Sequence, residues 1–380
     1  MDDRKKERTE LIERNIMKKI AVITMHAVKN YGSVLQTYAT QRLFEMHDLQ
    51  PIIIDYRRPW DTGFSYYFDV KGKGFKDILK QFIYFPSKIK QRKIFGSFLK
   101  KYISLTKYEY RSLEDFYQHP IDADVFCTGS DQVWNSGWNR GMKNEFFLTF
   151  VPEGKKKVSF AASIGKDSID EEEKKKIAEY LNSYNAISVR ERSSVELLNQ
   201  IGFSDVELIL DPTLQLPQRE WRNLVGTDNH IANDYVLLIQ LNRNKEFDRF
   251  AVRFAREHGK RLLRLCLRVD QAILPGRAII IPDVIDYLRY IADADYVLTD
   301  SFHAVSFCLG FEKNFYCVLP DLYSSRIKSI LTDLGLMNRI VEGFTLSDQQ
   351  VDDINYKNVN ALINDLRNNS LKYLDRISSI

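Results

Sequence analysis

The first clear pattern along the chain is Ile20–Thr24, a short apolar run bounded by polar residues, as expected of a strand covered on both faces. Asn30-Tyr31-Gly32-Ser33 then supplies a turn, and Val34–Met46 has helical spacing through Val34, Leu35, Tyr38, Ala39 and Leu43. Pro51–Tyr56 is a second apolar run, so the chain opens on a βαβ unit whose crossover is expected to be right-handed. The alternation resumes with strands expected over Asp124–Thr128, Lys157–Ala161, Ala186–Val189 and Val206–Leu210. Helices are expected over Asp170–Tyr184 and Ser193–Ile201. Ser168 and Glu171 have capping-box spacing ahead of the first of these, and Gly202 is a natural stop for the second.

Arg57–Tyr110 breaks the alternation. It is rich in aromatic and basic residues, and Phe75, Ile78, Leu79, Phe82 and Ile83 recur at helical spacing, which predicts helices inserted into the first domain. Asp211–Asn233 holds two prolines and no period, and the domain boundary is placed there. A second alternating block follows, with strands over Tyr235–Gln240, Arg261–Leu267, Ala278–Ile281, Tyr296–Thr299 and Phe315–Val318. Ser324–Leu334 reads as a helix ending at Gly335, and Ser347–Ile380 as a polar helical segment packing back across the first domain. The expected fold is α/β, with two Rossmann-like doubly wound domains facing a cleft. The expected units are a disordered or helical extension over 1–16, an N-terminal domain over 17–222 with an insertion at about 57–111, a C-terminal domain over 223–345 and a helical segment over 346–380.

Length agrees with this division, since 380 residues exceed one ordinary core. A net charge of +4 does not argue for a nucleic-acid partner. Cys127, Cys266, Cys308 and Cys317 lack CxxC spacing and stand near no His at ligand spacing, so reduced thiols and no metal site are expected, in a cytoplasmic protein. No apolar run approaches the ~20 residues of a bilayer span. Met1–Asn15 is charged and unlike a signal peptide, and Met17 is a candidate natural start.

Candidate chemistry gathers at the ends of the expected strands. In Thr299-Asp300-Ser301-Phe302-His303-Ala304, a buried strand runs through polar residues into an apolar helix, with Ser301 as N-cap and His303 in the first turn. A helix start disfavours an imidazolium and favours an anion, and a bound phosphate or carboxylate reverses the bias and holds the ring protonated. The bland alternative is a helix-start histidine satisfied by backbone. Arg326, behind Ser324 and Ser325, is placed to fork onto phosphate or carboxylate, or else is a solvated arginine. Gly129-Ser130-Asp131-Gln132-Val133-Trp134-Asn135 joins a glycine, four hydrogen-bonding residues and an apolar ring suited to a sugar, or is a turn with a buried Trp. Asn30 and Gly32 can offer backbone N–H groups to an anion, with His26 nearby. They do not form a dinucleotide fingerprint. From Lys71 to Arg111 twelve Lys/Arg face two acids, Asp77 and Glu109. That segment either touches a membrane surface or anionic lipid-linked acceptor, or is a solvated basic face over an aromatic core.

These motifs together resemble the polysaccharide pyruvyl transferase family from about Lys18 to about Val341. The resemblance is carried by ITMHAVKNYGSVLQTYA (Ile23–Ala39), PIIIDY (Pro51–Tyr56), VFCTGSDQVWN (Val125–Asn135), SFAASIG (Ser159–Gly165), ISVRERSS (Ile187–Ser194), LDPTL (Leu210–Leu214), VLTDSFHA (Val297–Ala304) and SSRIKSILTDLGL (Ser324–Leu336). Arg57–Arg111 and both termini fall outside it. The resemblance implies two Rossmann-like domains of GT-B type and transfer of pyruvate from phosphoenolpyruvate to two hydroxyls of a sugar as a cyclic ketal. It implies His303 as catalytic acid and Arg326 as donor anion holder. Ser301, Ser325, Asn30 and Gly32 are then the expected donor contacts. Gly129, Ser130, Asp131, Gln132, Trp134 and Asn135 are the expected acceptor contacts. No cofactor is implied beyond phosphoenolpyruvate as co-substrate, and the site of action is the cytoplasm or the inner face of the membrane. The competing readings are a nucleotide-sugar glycosyltransferase using Glu312 or Asp321, a saccharide-binding scaffold and, less favoured by the charge, a nucleic-acid binder.

Overall fold

A computed structural model describes residues 17–68, 75–226, 234–320, 324–345 and 353–380. The expected extension over 1–16, Asp321 and residues 347–352 of the C-terminal segment lie outside the described residues.

Seven strands belong to the first half: β1 Lys18–Ile23, β2 Leu49–Tyr56, β3 Leu105–Tyr110, β4 Val125–Thr128, β5 Lys156–Ser159, β6 Ile187–Val189 and β7 Val206–Leu208. The first five form one sheet in the order β3-β2-β1-β4-β5. Isolated parallel bridges Val158↔Ala186 and Ala162↔Val189 carry that order on toward the β6-β7 pair. The second half repeats the plan with β8 Tyr235–Ile239, β9 Arg261–Cys266, β10 Arg277–Ile280, β11 Tyr296–Thr299 and β12 Asn314–Cys317, in the order β10-β9-β8-β11-β12. Every pairing in both sheets is parallel. The central strands are the continuous apolar runs: Ile20–Ile23 of β1 and all of β8 are buried, because helices cover both faces. Each sheet reverses its order beside its first strand, between β1 and β4 and between β8 and β11, where such folds place ligands.

Two local expectations are corrected. The insertion is not wholly helical: β3 lies inside it and pairs with β2, the Thr106 hydroxyl accepting from the Asp55 N–H at 2.9 Å. Thr106, Tyr108 and Tyr110 alternate with Lys107 and Glu109, a period of two masked by the basic, aromatic composition. The long inserted helix is Phe75–Tyr102. Nor is Ser168 the cap of the helix that follows it, Glu171–Leu181: Asp170 accepts from Glu173 N–H at 2.8 Å.

The largest apolar core runs through both domains. Tyr31 stacks on Tyr287 with ring centroids 4.3 Å apart, and its hydroxyl donates to the Pro282 carbonyl at 2.6 Å. Such a ring pair contributes about 0.5–1.5 kcal/mol beyond burial, so the shared core rather than this pair joins the halves. The helix Tyr356–Ser379 straps both: Tyr373 donates to Ser159 O and Tyr356 to Lys313 O, each at 2.6 Å. All four cysteines are buried and unpaired.

Candidate functional site

The two switch points open onto one cleft of about 510 Å³. From the first domain, the β1 loop supplies Asn30 and Ser33 and the β4 loop supplies Asp131, Gln132 and Trp138. From the second, Asp300, Ser301, Phe302 and His303 follow β11, and Arg326 stands opposite.

His303 is held from two sides. Ser301 caps its helix, Phe302–Gly310, by accepting from Ala304 N–H. Across the domain interface Gly32 lies so close that a Cβ there would fall 2.1 Å from His303 Nδ1 and 2.3 Å from Cγ. Only glycine allows this approach. His303 Nε2 is buried and has no hydrogen-bond partner among the described residues. Burial lowers the imidazole to about 4, and Arg190 and Arg326 act in the same direction against the pull of Asp211 and Asp131.

Arg326 is equally under-satisfied. Among the described residues its Nε is buried without a partner, as is the Ser325 hydroxyl beside it. Burial first, then repulsion from Arg190, lowers the guanidinium to about 10. The Phe302 ring lies 5.3 Å from Arg326 Cζ and 5.2 Å from Arg190 Cζ. Arg190 is matched by the buried carboxylates of Asp131 and Asp211, whereas Arg326, on the same ring, has no carboxylate in ion-pair contact among the described residues, an arrangement that favours an anion arriving at Arg326.

Arg190, at the end of β6, was missed from the sequence as a site residue, although it stands in the ISVRERSS motif. Its Nη1 donates to Asp211 at 2.6 Å and to the Ser130 hydroxyl at 3.1 Å, and Nη2 to Asp131 at 3.4 Å. Asp131 also accepts from the Ser33 hydroxyl at 2.6 Å, with its backbone left-handed at φ 80°. Burial pushes the Asp131 carboxyl up, but Arg190, His303 and Ser33 together hold it at about 2. Asp300 lines the cleft but is occupied in accepting from the Leu241 and Asn242 N–H groups at 2.6 and 2.8 Å.

The acceptor loop needs correction. Asp131 and Gln132 line the cleft as expected, but four neighbours do not. Trp134 is buried, donates from Nε1 to Phe146 O at 3.2 Å and stacks on Phe147, so no sugar reaches it. Asn135 is buried and bonds Gln132 at 2.6 Å. Ser130 is engaged by Arg190 and Asp211, and Gly129 packs against Val22 and Thr24 of the first strand and its loop. The exposed aromatic ring at the first-domain side of the cleft is Trp138, four residues on and 47% exposed. Its signal was the second Trp in the polar run that follows β4. His26 does not face the cleft either: it is buried, with Nε2 on Asp55 at 2.9 Å. Glu312, proposed for a ribose contact, instead accepts from Asn360 of the C-terminal helix.

Comparison with known families now decides the affiliation: the model of polysaccharide pyruvyl transferases matches residues 30–321. The chain belongs to the polysaccharide pyruvyl transferase family. Membership makes it a transferase of polysaccharide biosynthesis. No curated protein matches it. Among solved structures it is similar to Methanocaldococcus jannaschii UDP-GlcNAc 2-epimerase in complex with UDP-GlcNAc and UDP, at 14% identity over 94% of this chain and 98% of that one, TM-score 0.52. A Listeria monocytogenes protein assigned as a UDP-N-acetylglucosamine 2-epimerase is similar at 12% identity over 93% and 88%, TM-score 0.50. At such identities the likeness is one of fold, and places this pyruvyl transferase family member in the GT-B architecture. No helix of the described residues is long and apolar enough to cross a membrane.

Proposed function

We propose that the protein moves the pyruvyl group of phosphoenolpyruvate onto two hydroxyls of a saccharide in a surface or capsular polysaccharide precursor, closing a cyclic ketal without metal or cofactor. One observation carries this reading: a buried imidazole whose Nε2 has no partner among the described residues shares the cleft with the Arg326 guanidinium, and Arg190 lies behind it against the same Phe302 ring. Phosphoenolpyruvate brings a phosphate and a carboxylate that the unpartnered Arg326 guanidinium and His303 Nε2 can bind. Its charges raise the imidazole and leave it protonated beside the enol.

His303 then gives its proton to the methylene carbon. The C=C electron pair forms the C–H bond, and an oxocarbenium centre develops at the adjacent carbon. The first hydroxyl adds there, giving a mixed ketal that still carries phosphate. The C–O bond to phosphate breaks, the electron pair and that hydroxyl's proton leave with phosphate, and the centre re-forms. The second hydroxyl closes the ring and returns its proton to His303. Arg326, with Arg190 behind it, holds the donor and stabilises the departing phosphate. Asp131, Gln132 and Trp138 face this centre from the first domain and are assigned to the acceptor. Exposed Phe64 (72%) and Phe82 (60%), with Lys90 and Lys93 on the same inserted segment, suit an acceptor delivered at a membrane surface.

A donor screen tests the reading. Phosphoenolpyruvate at ~100 times its Kd should stabilise the protein by about 2.7 kcal/mol, and phosphate release should require a saccharide acceptor. Stabilisation by a nucleotide-sugar, with none by phosphoenolpyruvate, makes the protein a glycosyltransferase instead. Gly32→Ala offers a geometric check. Its Cβ cannot coexist with the present His303 ring, and a displacement of about 1 Å lowers phosphate release roughly 10²-fold. A variant as fast as wild type shows that the ring's seat is irrelevant to the chemistry.

A further inference from the structure

A second cavity, of about 430 Å³, lies beneath the inserted helix Phe75–Tyr102 and shares no lining residue with the cleft. Its walls come from the β1 loop, the turn after β2 and the inner side of that helix. Four cations line it, Lys29, Arg57, Arg92 and Lys100, against one carboxylate, Asp61. Asp61 is already taken by Arg58, at 2.7 and 3.0 Å. Arg57 is shared between Asp55 at 2.7 Å and Glu109 at 3.1 Å. Among the described residues Lys29, Arg92 and Lys100 therefore have no carboxylate of their own.

Lys29 is the most telling. Its Nζ donates to the Ala27 carbonyl at 2.5 Å and lies 5.7 Å from the Tyr66 ring centroid. Burial, then Arg57, lowers the ammonium to about 8. An ammonium drawn out of water without a counter-charge is costly unless an anion visits. Among the described residues Arg92 donates only to the Tyr67 hydroxyl, at 2.9 Å. Gly96, between Arg92 and Lys100 on the same helix, also lines the cavity, and a Cβ there meets nothing within 4 Å, so a larger side chain has room to occupy that space.

We propose that this cavity binds a diphosphate ester. A single phosphate carries about −1.5 to −2 charges at neutral pH, so two linked phosphates match three unpaired cations better than one does. Lys29 lines this cavity and the next residue, Asn30, lines the cleft, so the two cavities adjoin at the β1 loop and the substituent of a diphosphate held here has a short way to the reacting centre. In that one respect, the substituent being the saccharide, the inference rests on the proposed function.

The test uses the full chain. It is titrated with inorganic pyrophosphate, and with neutral phospholipid vesicles with and without a polyprenyl diphosphate. Pyrophosphate should bind, and Lys29→Met should weaken it about tenfold or more. Gly96→Leu, which fills the cavity and leaves every charge in place, should do the same while phosphoenolpyruvate still stabilises the variant as it does wild type. Retention by the diphosphate vesicles, competed by pyrophosphate, assigns the site to a lipid-borne ester. Pyrophosphate binding that is sensitive to both variants, without vesicle retention, assigns it to a soluble one. Pyrophosphate binding that Gly96→Leu leaves unchanged, or no binding at all, overturns the proposal. A wild-type protein that ignores phosphoenolpyruvate but binds pyrophosphate in this variant-sensitive way sinks only the donor reading.

Discussion

His303→Gln is expected to lower phosphoenolpyruvate-dependent phosphate release by roughly 10²–10⁴-fold, the usual span for a lost general acid. Glutamine keeps polarity and approximate volume but has no proton to deliver at neutral pH. The same residue sets a pH signature. Its folded value, about 4, lies below the ordinary 6.5, chiefly because the ring is buried. As pH falls through that window the unfolded chain takes up a proton that the empty folded site refuses. Wild type therefore loses about 3 kcal/mol between roughly pH 6.5 and 4, at about 1.36 kcal/mol per pH unit, and His303→Gln is spared that loss. Donor binding reverses the sign. Phosphoenolpyruvate raises the imidazole, so its binding draws in a proton and tightens as pH falls, by at most about tenfold per unit. Calorimetry in buffers of different ionisation enthalpy measures the proton directly. Unchanged phosphate release in the variant, or donor binding without proton uptake in wild type, removes His303 from the acid's role.

The central strands were legible because buried parallel strands are continuous apolar runs, as in Ile20–Ile23 and Tyr235–Ile239, whereas their order in the sheets was not read from the sequence. The place of His303 and Arg326 was legible too, since a polar stretch between a buried strand and an apolar helix can only be a loop at a sheet's carboxyl end. The acceptor loop was half legible. Asp131 and Gln132 reach the cleft, but nothing in GSDQVWN distinguishes the Trp that fills the core from the one that lines the cleft. Trp134 meets Phe146 and Phe147, residues a dozen positions on, and only the folded chain brings them together. Arg190 escaped notice for the same reason: its meaning lies in Asp131, Asp211 and Phe302, which come from separate elements. The proximity of Gly32 to His303 spans both domains and has no sequence signal beyond the glycine itself.

Arg190→Met is expected to be the most destabilising single change at the site, by about 3–5 kcal/mol, because it leaves buried carboxylates without their cation. The guanidinium touches Asp211 and Asp131 and lies 3.7 Å from Glu191, with its side chain fully enclosed. It also holds Phe302, and through that ring the start of the His303 helix, against the first domain. In wild type both aspartates sit below their ordinary values, where Arg190 and hydrogen bonds outweigh burial. Depressed carboxylates support the fold above the unfolded pKa, near 4, and withdraw that support as pH falls through the folded value. Without Arg190, burial dominates and the aspartates rise, so the sign inverts. The variant is weakest at neutral pH and recovers part of its stability as the solution is acidified toward pH 5. Arg190→Lys restores charge without the fork and should regain only part of the loss. Denaturant melts of the three proteins at pH 5 and pH 7.5 distinguish this from simple loss of packing. A Met variant with the same stability deficit at both pH values would mean that Arg190 acts through its bulk, and the charge network around Asp131 would not be what seats the helix that carries His303.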